Sequence, residues 1–186
     1  LHGELNVPIG LIGSAWGGTR IEPWTPISGF EAVEAVRNIG EQTRAQVGQG
    51  GQLNHGSPTG LYNGMVAPVV PFSLRGAIWY QGESNNGEGM LYHQKMKALI
   101  AGWRKVFDNP QLAFHFVQLA PYRYGNGEQT LPYMWEAQTA TLAVPGTGMA
   151  VITDIGNVGD IHPRNKQGVG KRLALWAMAK NYGKSD

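Results

Sequence analysis

A histidine preceded by two carboxylates gives the strongest chemical signal in the sequence. His162 lies in the loop of residues 154–163, after Asp154 and Asp160 and just before a segment with helical spacing. An imidazole whose tautomer is fixed by a carboxylate can act as a general base near neutral pH. Asp160 can instead be a turn or cap carboxylate. The three side chains can also be metal ligands, although no second histidine stands at ligand spacing. The remaining histidines are not flanked by carboxylates in this way and are interpreted as structural or surface residues: His2, His55, His93 and His115.

A second reactive segment occupies residues 79–85, at the end of an apolar run. The Gln81 amide can donate a hydrogen bond to a developing oxyanion, and Gly82 lets the neighbouring backbone come close. Glu83 has three possible roles: it can orient a histidine, pair with Arg20, or anchor the loop. The neighbouring side chains have plainer interpretations, namely a helix cap for Ser84 or Asn85 and core packing for Trp79 and Tyr80.

A third segment, residues 13–20, is rich in glycine and also follows an apolar run. The paired glycines Gly17 and Gly18 allow backbone N–H groups to approach a ligand, as an oxyanion hole or a phosphate cradle requires. Thr19 stands where a phosphate-binding loop needs lysine, so nucleotide binding is disfavoured. A tight turn that needs positive φ is the plain alternative. Ser14 is not in a Gly-x-Ser-x-Gly elbow and is a poor nucleophile candidate.

The composition fits one compact domain over residues 1–186. The chain is 42% hydrophobic and 15% charged, which allows a substantial core and argues against disorder. The net charge of +2 is small and scattered, which disfavours nucleic acid as a partner. No apolar run approaches the length of a membrane span. Cysteine is absent, which excludes disulfides and cysteine-ligated zinc but leaves the compartment open.

Apolar runs alternate with segments of helical spacing along the chain. Strands are predicted at residues 7–12, 74–80, 112–119 and 149–153, and helices at 30–47, 90–107, 132–144 and 165–182. This alternation predicts an α/β fold with a parallel sheet and helices on both faces. Reactive groups in such folds gather at the carboxyl ends of the strands. Because the three segments each follow a predicted strand, we expect them to form one active site there.

Three ordered stretches together resemble the sialate O-acetylesterase family, a branch of the SGNH hydrolases. They are Gly-Leu-Ile-Gly-Ser-Ala-Trp-Gly-Gly-Thr, Gly-Ala-Ile-Trp-Tyr-Gln-Gly-Glu-Ser-Asn and Asp-Ile-His-Pro-Arg-Asn-Lys-Gln. The resemblance extends over nearly the whole chain. It implies a flavodoxin-like three-layer α/β/α fold. It also implies a serine mechanism that needs no cofactor or metal, in which an acyl-enzyme forms and is then hydrolysed.

The resemblance also assigns roles to particular residues. It implies that the Gly17 and Gly18 turn donates a backbone N–H to the oxyanion, that Gln81 stands in the third family block, and that His162 is the general base. The usual Asp-x-x-His pattern is absent, because Gly159 stands three residues before the histidine. The acid that orients the imidazole is therefore expected to be one of three carboxylates, in the order Asp160 first, then Asp154 or Glu83.

The family's first block, a Gly-Gln-Ser-Asn segment that carries the nucleophilic serine, does not occur in residues 1–186. We expect it to precede Leu1, in a missing N-terminal segment of the same protein that supplies a strand beside residues 7–12. The leading hypothesis is an esterase that removes acetyl groups from sialic acid or polysaccharide, with a periplasmic or secreted location favoured. A catalytically inactive carbohydrate-binding module and a metal-dependent phosphoesterase are the alternatives.

Overall fold

The computed structural model describes residues 1–125, 127 and 129–184. Its sheet contains the strands β1 (Gly76–Trp79), β2 (Ala113–Val117) and β3 (Thr147–Ala150), in the order β1-β2-β3 with both pairings parallel. Each strand lies within or next to a run predicted to be extended. The prediction of an α/β fold with a parallel sheet is confirmed.

Six α-helices surround this sheet in the described residues: α1 (His2–Leu5), α2 (Ile27–Glu31), α3 (Arg37–Gly48), α4 (Met90–Val106), α5 (Thr130–Ala140) and α6 (Lys166–Asn181). Short 3₁₀ turns occur at Glu22–Trp24, Glu34–Val36, Ala67–Val69, Glu83–Asn85 and Thr141–Ala143, and a π turn at Tyr62–Val66. None of the described helices is long and apolar enough to cross a membrane.

The side chains of β2 alternate between two hydrophobic clusters, one on each face of the sheet. Phe114 and Phe116 enter the larger cluster, which includes side chains of α4 and α5. Val117 enters the smaller cluster, to which α6 contributes Val169 and Leu173. A strand buried on both faces requires cover from both sides, and the helices supply it. The three-layer arrangement therefore follows from the apolar character of β2.

The helix predicted at residues 30–47 is interrupted in the structure. Phe30, Val33 and Val36 are all buried in one cluster with Ala98. Their spacing of three residues would rotate them steadily away from one face of a continuous α-helix. The chain instead leaves α2 at Glu31 and passes through the 3₁₀ turn Glu34–Val36 before α3 begins. The break therefore keeps all three apolar side chains in the core.

The strand predicted at residues 7–12 is wrong. The segment forms no ladder, and Leu11 and Ile12 are 87% and 53% exposed. An extended segment becomes a strand only when a neighbour satisfies its backbone N–H and C=O groups. The outer edge of β1 is equally unpaired within the described residues, and Ile78 on that strand is 66% exposed. Residues 7–12 and the outer edge of β1 thus both lack a strand partner within the described residues.

The outer edge of β3 is covered differently. Its outward-facing carbonyl at Met149 accepts a hydrogen bond from Trp176 Nε1 at 2.8 Å. The carbonyl of Val151, just past the strand, accepts from Arg172 Nη1 at 2.5 Å. Both donors come from α6, so helix side chains occupy hydrogen-bonding positions that another strand would need.

Candidate active site

The two glycine-containing turns meet at the carboxyl end of β1, as predicted. Ser84 Oγ donates to the carbonyl of Gly18 at 3.0 Å, and Gln81 Nε2 donates to the carbonyl of Thr19 at 3.1 Å. Gly18 and Gly82 have φ values of 72° and 150°, which other residues adopt only with strain. The sequence places glycine where these turns require it.

The backbone N–H groups of Gly17 and Gly18 are available to a ligand. Neither donates a hydrogen bond to any described residue. A Cβ atom placed on either glycine would meet nothing within 4 Å, so the turn is open on this side. Unpaired, accessible N–H groups on a fixed turn are what an oxyanion site needs.

Gln81 holds the two turns together in this structure. Its Nε2 donates to Thr19 and also to Asn85 Oδ1, at 2.9 Å, so both amide hydrogens are engaged. The Tyr92 hydroxyl lies 2.9 Å from the backbone carbonyl of Gln81 and 3.1 Å from its side-chain oxygen. These contacts fix the orientation of the amide. To donate to an oxyanion, Nε2 would have to give up its hydrogen bond to Thr19 or to Asn85. That role stays a prediction.

Behind the two turns lies a network of charged side chains that the sequence analysis missed, in which Lys95 and Glu22 are buried, Glu88 is partly buried and Arg20 is exposed. Lys95 Nζ contacts Glu22 Oε1 at 2.7 Å and Glu88 Oε1 at 2.7 Å. Arg20 binds the same two carboxylates, through Nη2 to Glu22 Oε1 at 3.1 Å and to Glu88. Asn85 donates from Nδ2 to both acids at 3.1 Å each. Two acids and two bases make the cluster formally neutral.

Asn85 connects this network to the two turns through hydrogen bonds. Its Oδ1 accepts hydrogen bonds from the backbone N–H of Ile21 and from Gln81, each at 2.9 Å, and its side chain is fully buried. With both Nδ2 hydrogens on carboxylates, every hydrogen-bonding position of the amide is filled. Its orientation is therefore fixed, because a flipped amide would place oxygen against the acids. The interpretation of Ser84 or Asn85 as a helix cap is wrong, because the N-cap of α4 is Gly89 and no described side chain caps this helix.

The ionisation of the network follows from its partners. Burial alone would raise the pKa of Glu22, but hydrogen bonds from Lys95 and Asn85 outweigh it and leave the pKa below its usual value. Burial lowers the pKa of Lys95, and Glu22 opposes that shift. A sequence signal for the buried lysine did exist. Lys95 lies on the same face of α4 as Tyr92 and Leu99, three and four residues away, and both are core residues.

Glu83 is not in this network, and its suggested pairing with Arg20 is wrong, since Arg20 binds Glu22 and Glu88. Its carboxylate makes no hydrogen bond or ion pair with any described residue. Burial raises the pKa of Tyr80 to about 12, with the Glu83 charge adding to the shift. Burial and Glu83 also raise the pKa of Tyr124. Glu83 is thus a carboxylate without a hydrogen-bond partner among the described residues, near the phenols of Tyr80 and Tyr124.

The loop of residues 154–163 presents His162 to solvent. The imidazole has no hydrogen-bond partner among the described residues. Asp160 Oδ1 accepts from the backbone N–H of His162 at 2.9 Å, and its other oxygen lies 3.7 Å from Arg164 Nε. Asp154 is bound by Arg172 through two hydrogen bonds, which lower its pKa to about 2. Neither aspartate therefore contacts the imidazole.

Two contacts place this loop at the same edge of the sheet as the turns. The backbone N–H of Arg123 donates to the carbonyl of Val158 at 3.2 Å, which ties the loop to the segment after β2. Lys166, at the start of α6, lies 5.2 Å from the centre of the Tyr80 ring. No described contact joins the His162 side chain to Gln81 or Glu83. The third segment is thus at the predicted edge, without a direct bond to the other two.

The two serine hydroxyls near the turns both donate hydrogen bonds to backbone carbonyls. Ser14 Oγ donates to the carbonyl of Met65 at 3.2 Å, and Ser84 Oγ donates to Gly18. Neither is bonded to a histidine in the described residues. No group of three His, Asp or Glu side chains in this part of the chain is arranged to hold a metal ion, so Asp154, Asp160 and His162 do not form such a cluster.

The comparisons with known proteins agree with one another. A family model for the sialic acid-specific acetylesterases, a group of carbohydrate esterases, matches residues 1–178. The human sialate O-acetylesterase is 34% identical over 211 aligned residues, which cover the whole of this chain and 38% of the human protein. The rat sialate O-acetylesterase is 33% identical, with coverage of 100% and 42%.

A solved structure, that of a carbohydrate acetylesterase from Xanthomonas citri, matches with a TM-score of 0.82 at 38% identity. The match covers all of this chain and 39% of the Xanthomonas chain. The protein described here therefore spans about two fifths of the length of these relatives. By family model, sequence identity and fold, the chain belongs to the sialic acid-specific acetylesterase family of carbohydrate esterases.

Proposed function

We propose that the complete protein is a carbohydrate O-acetylesterase that acts on sialic acid or polysaccharide through a serine acyl-enzyme. The observation that carries the proposal is the pair of turns at the carboxyl end of β1. They hold the unpaired N–H groups of Gly17 and Gly18 beside Gln81. Such a cradle stabilises the oxyanion that forms when an ester carbonyl is attacked. The human relative is a sialate O-acetylesterase, and the Xanthomonas citri relative is a carbohydrate acetylesterase.

In this mechanism His162 accepts the proton of the nucleophile and later returns a proton to the leaving sugar hydroxyl. A water molecule, activated by the same imidazole, then attacks the acyl-enzyme, which releases acetate and restores the serine hydroxyl. The exposed ring has no competing partner among the described residues, so it is free to contact a serine. The Gly17 and Gly18 N–H groups bind the oxyanion in both steps, and Gln81 keeps their turn in position or donates directly.

We propose Glu83 as the acid that orients His162, ahead of Asp160 and Asp154. Both aspartates are engaged with other partners, whereas the Glu83 carboxylate has none among the described residues. Glu83 also lies at the carboxyl end of β1, next to the oxyanion turns. A carboxylate there can accept the imidazole N–H and favour the tautomer that a general base needs.

The nucleophile is proposed to lie on a strand outside residues 1–186. Residues 7–12 and the outer edge of β1 both lack a strand partner among the described residues, and a parallel strand placed between them would satisfy both. Such a strand would bury the exposed side chains of Leu11 and Ile78 and would bring its carboxyl end to the oxyanion turns. Without it, the 186-residue chain is expected to show no esterase activity above background.

The experiment uses the complete protein. A fluorophosphonate probe should label one serine, and mass spectrometry of the digested adduct should place it in a Gly-Gln-Ser segment before Leu1. The same preparation should hydrolyse an aryl acetate, and EDTA should leave that activity intact, since the proposed chemistry uses no metal. Labelling of Ser14 or Ser84 would contradict the assignment, and metal-dependent activity would favour the phosphoesterase. Cell fractionation would test the periplasmic or secreted location that the family resemblance favours.

A further inference from the structure

An exposed aromatic pair lies directly beside the oxyanion turn. The indole of Trp16 stacks on the imidazole of His55, with ring centres 5.0 Å apart and planes at 17°. Trp16 remains 51% exposed despite this contact. Large aromatic side chains left open next to a reactive site commonly contact a ligand.

Both rings are held by the same part of the core. The Trp16 carbonyl accepts from Thr19 Oγ1 at 2.8 Å, and that hydroxyl accepts from Trp24 Nε1 at 3.0 Å. The loop that carries His55 is anchored by Thr59, whose backbone N–H donates to the carbonyl of Glu22 at 3.0 Å. Trp24 and Glu22 belong to one 3₁₀ turn, Glu22–Trp24. The backbone segments that carry the two rings are therefore both held by this turn, and the rings stack on each other.

The His55 loop is rigid in its own right. Asn54 Oδ1 accepts from the backbone N–H groups of Gly56 at 2.8 Å and of Ser57 at 3.1 Å. These bonds form an Asx turn around His55. Little conformational entropy then remains to be lost when a ligand stacks on the pair.

We propose that Trp16, supported by His55, is the platform on which the sugar ring of the acetylated substrate stacks. The inference rests on the proposed esterase function and adds the subsite that selects a carbohydrate. The apolar C–H face of a pyranose matches the face of an indole, and the ring hydroxyls stay in water. Trp16 Cα is at most about 7.6 Å from Gly18 Cα, two residues along the chain. This distance is comparable to the width of one sugar ring, so a sugar stacked on Trp16 can place its acetyl group at the oxyanion turn.

The test compares two esters in the complete protein: an O-acetylated methyl glycoside, and ethyl acetate, which has no ring to stack. In Trp16→Ala, KM for the glycoside should rise about tenfold, equivalent to about 1.4 kcal/mol, with kcat little changed. Both constants for ethyl acetate should stay near wild type. Trp16→Phe should retain most of the affinity, and His55→Ala should raise the glycoside KM by a smaller factor. Phe72→Ala, which removes an exposed aromatic side chain preceding β1, is the matched control and should change neither substrate.

An unchanged glycoside KM in Trp16→Ala would overturn the platform, as would equal losses on both esters, which would make Trp16 a support for the turn. If Trp16→Ala does not fold, Trp16→Phe and His55→Ala carry the same comparison. Calorimetry with the deacetylated methyl glycoside measures sugar binding without catalysis. A wild type that hydrolyses neither ester would refute the proposed function. The platform would then be judged by calorimetry alone, and equal affinity in wild type and Trp16→Ala would overturn it.

Discussion

The turns that carry Gln81 are held by a largely buried network of charged side chains, whereas the loop that carries His162 is held by short local turn bonds and by the surface pair of Asp154 with Arg172. Asn85 fixes the first region from the core with four hydrogen bonds. The loop of residues 154–163 relies on bonds such as that from the His162 N–H to Asp160, and its histidine is exposed. An oxyanion cradle works only if it is organised before the reaction. A general base instead has to serve a nucleophile and then a water molecule, so an unpartnered ring suits it.

The largest effect is expected from removing the base. His162→Ala in the complete protein should lower kcat for an aryl acetate by about 10³-fold or more. Because the side chain is exposed and has no hydrogen-bond partner in the described part of the chain, the melting temperature should barely change. His2→Ala, at another exposed histidine, is the control and should leave kcat intact. A His162→Ala enzyme that retained most of its kcat would remove this residue from the mechanism.

Breaking the charged network should affect mainly the stability of the protein, whereas removing His162 affects mainly kcat. Lys95→Met leaves Glu22 and Glu88 without their buried cation, and breaking a buried pair from one side costs about 3–5 kcal/mol. Denaturant unfolding measures this free energy. Lys97→Met, two residues along α4 and only partly buried, should cost far less. Equal stability of the two variants would show that the network does not hold this half of the site.

Gln81 belongs to the first of these two regions, where it joins the two turns. Gln81→Ala should reduce kcat for an aryl acetate by about 10²-fold, with little change in KM, if its amide reaches the oxyanion. Steady-state kinetics separates the two constants. An effect confined to KM would make Gln81 a substrate-binding or structural residue.

The orienting acid is tested by two matched isosteric changes. Glu83→Gln should lower kcat at least about tenfold, because the imidazole would lose the carboxylate that favours its reactive tautomer. Asp160→Asn should have a smaller effect, since this side chain accepts a bond from the loop backbone. The two kcat values in one assay decide the matter, and the reverse order would restore Asp160 as the acid.

The smallest effect concerns pH. The pKa of Glu22 is lowered in the folded protein, so its contribution to stability is present above its unfolded pKa, at about 4.3. That contribution is lost as the pH falls through the lower folded value. Glu22→Gln should therefore lose less stability than wild type between about pH 5 and pH 3. Glu34→Gln, at an exposed acid, should follow the wild-type curve. Parallel curves for Glu22→Gln and wild type would contradict the assignment.

Sequence reasoning located the strands of the sheet and the long helices, because each is an apolar run or an amphipathic stretch that predicts its own burial. It also brought the two glycine turns together, since strand ends converge in any parallel sheet. It missed the charged network because Glu22 lies 73 residues from Lys95 in the chain, and only the fold brings Glu22 next to Lys95 and Glu88. The strand predicted at residues 7–12 failed for a related reason. The local sequence pattern indicates that a segment prefers an extended conformation, but a β-strand also needs a neighbouring strand to hydrogen-bond with.

The capping of β3 by Arg172 and Trp176 has a consequence for how the isolated chain behaves. A sheet with both edges open can add strands in two directions and form fibres, whereas among the described residues the β1 edge of this sheet is open and the β3 edge is covered by α6 side chains. Self-association of the 186-residue chain would then stop at a pair joined edge to edge at β1. Purified alone, the chain is expected to form discrete dimers whose contact can be blocked by a charged substitution at Ile78.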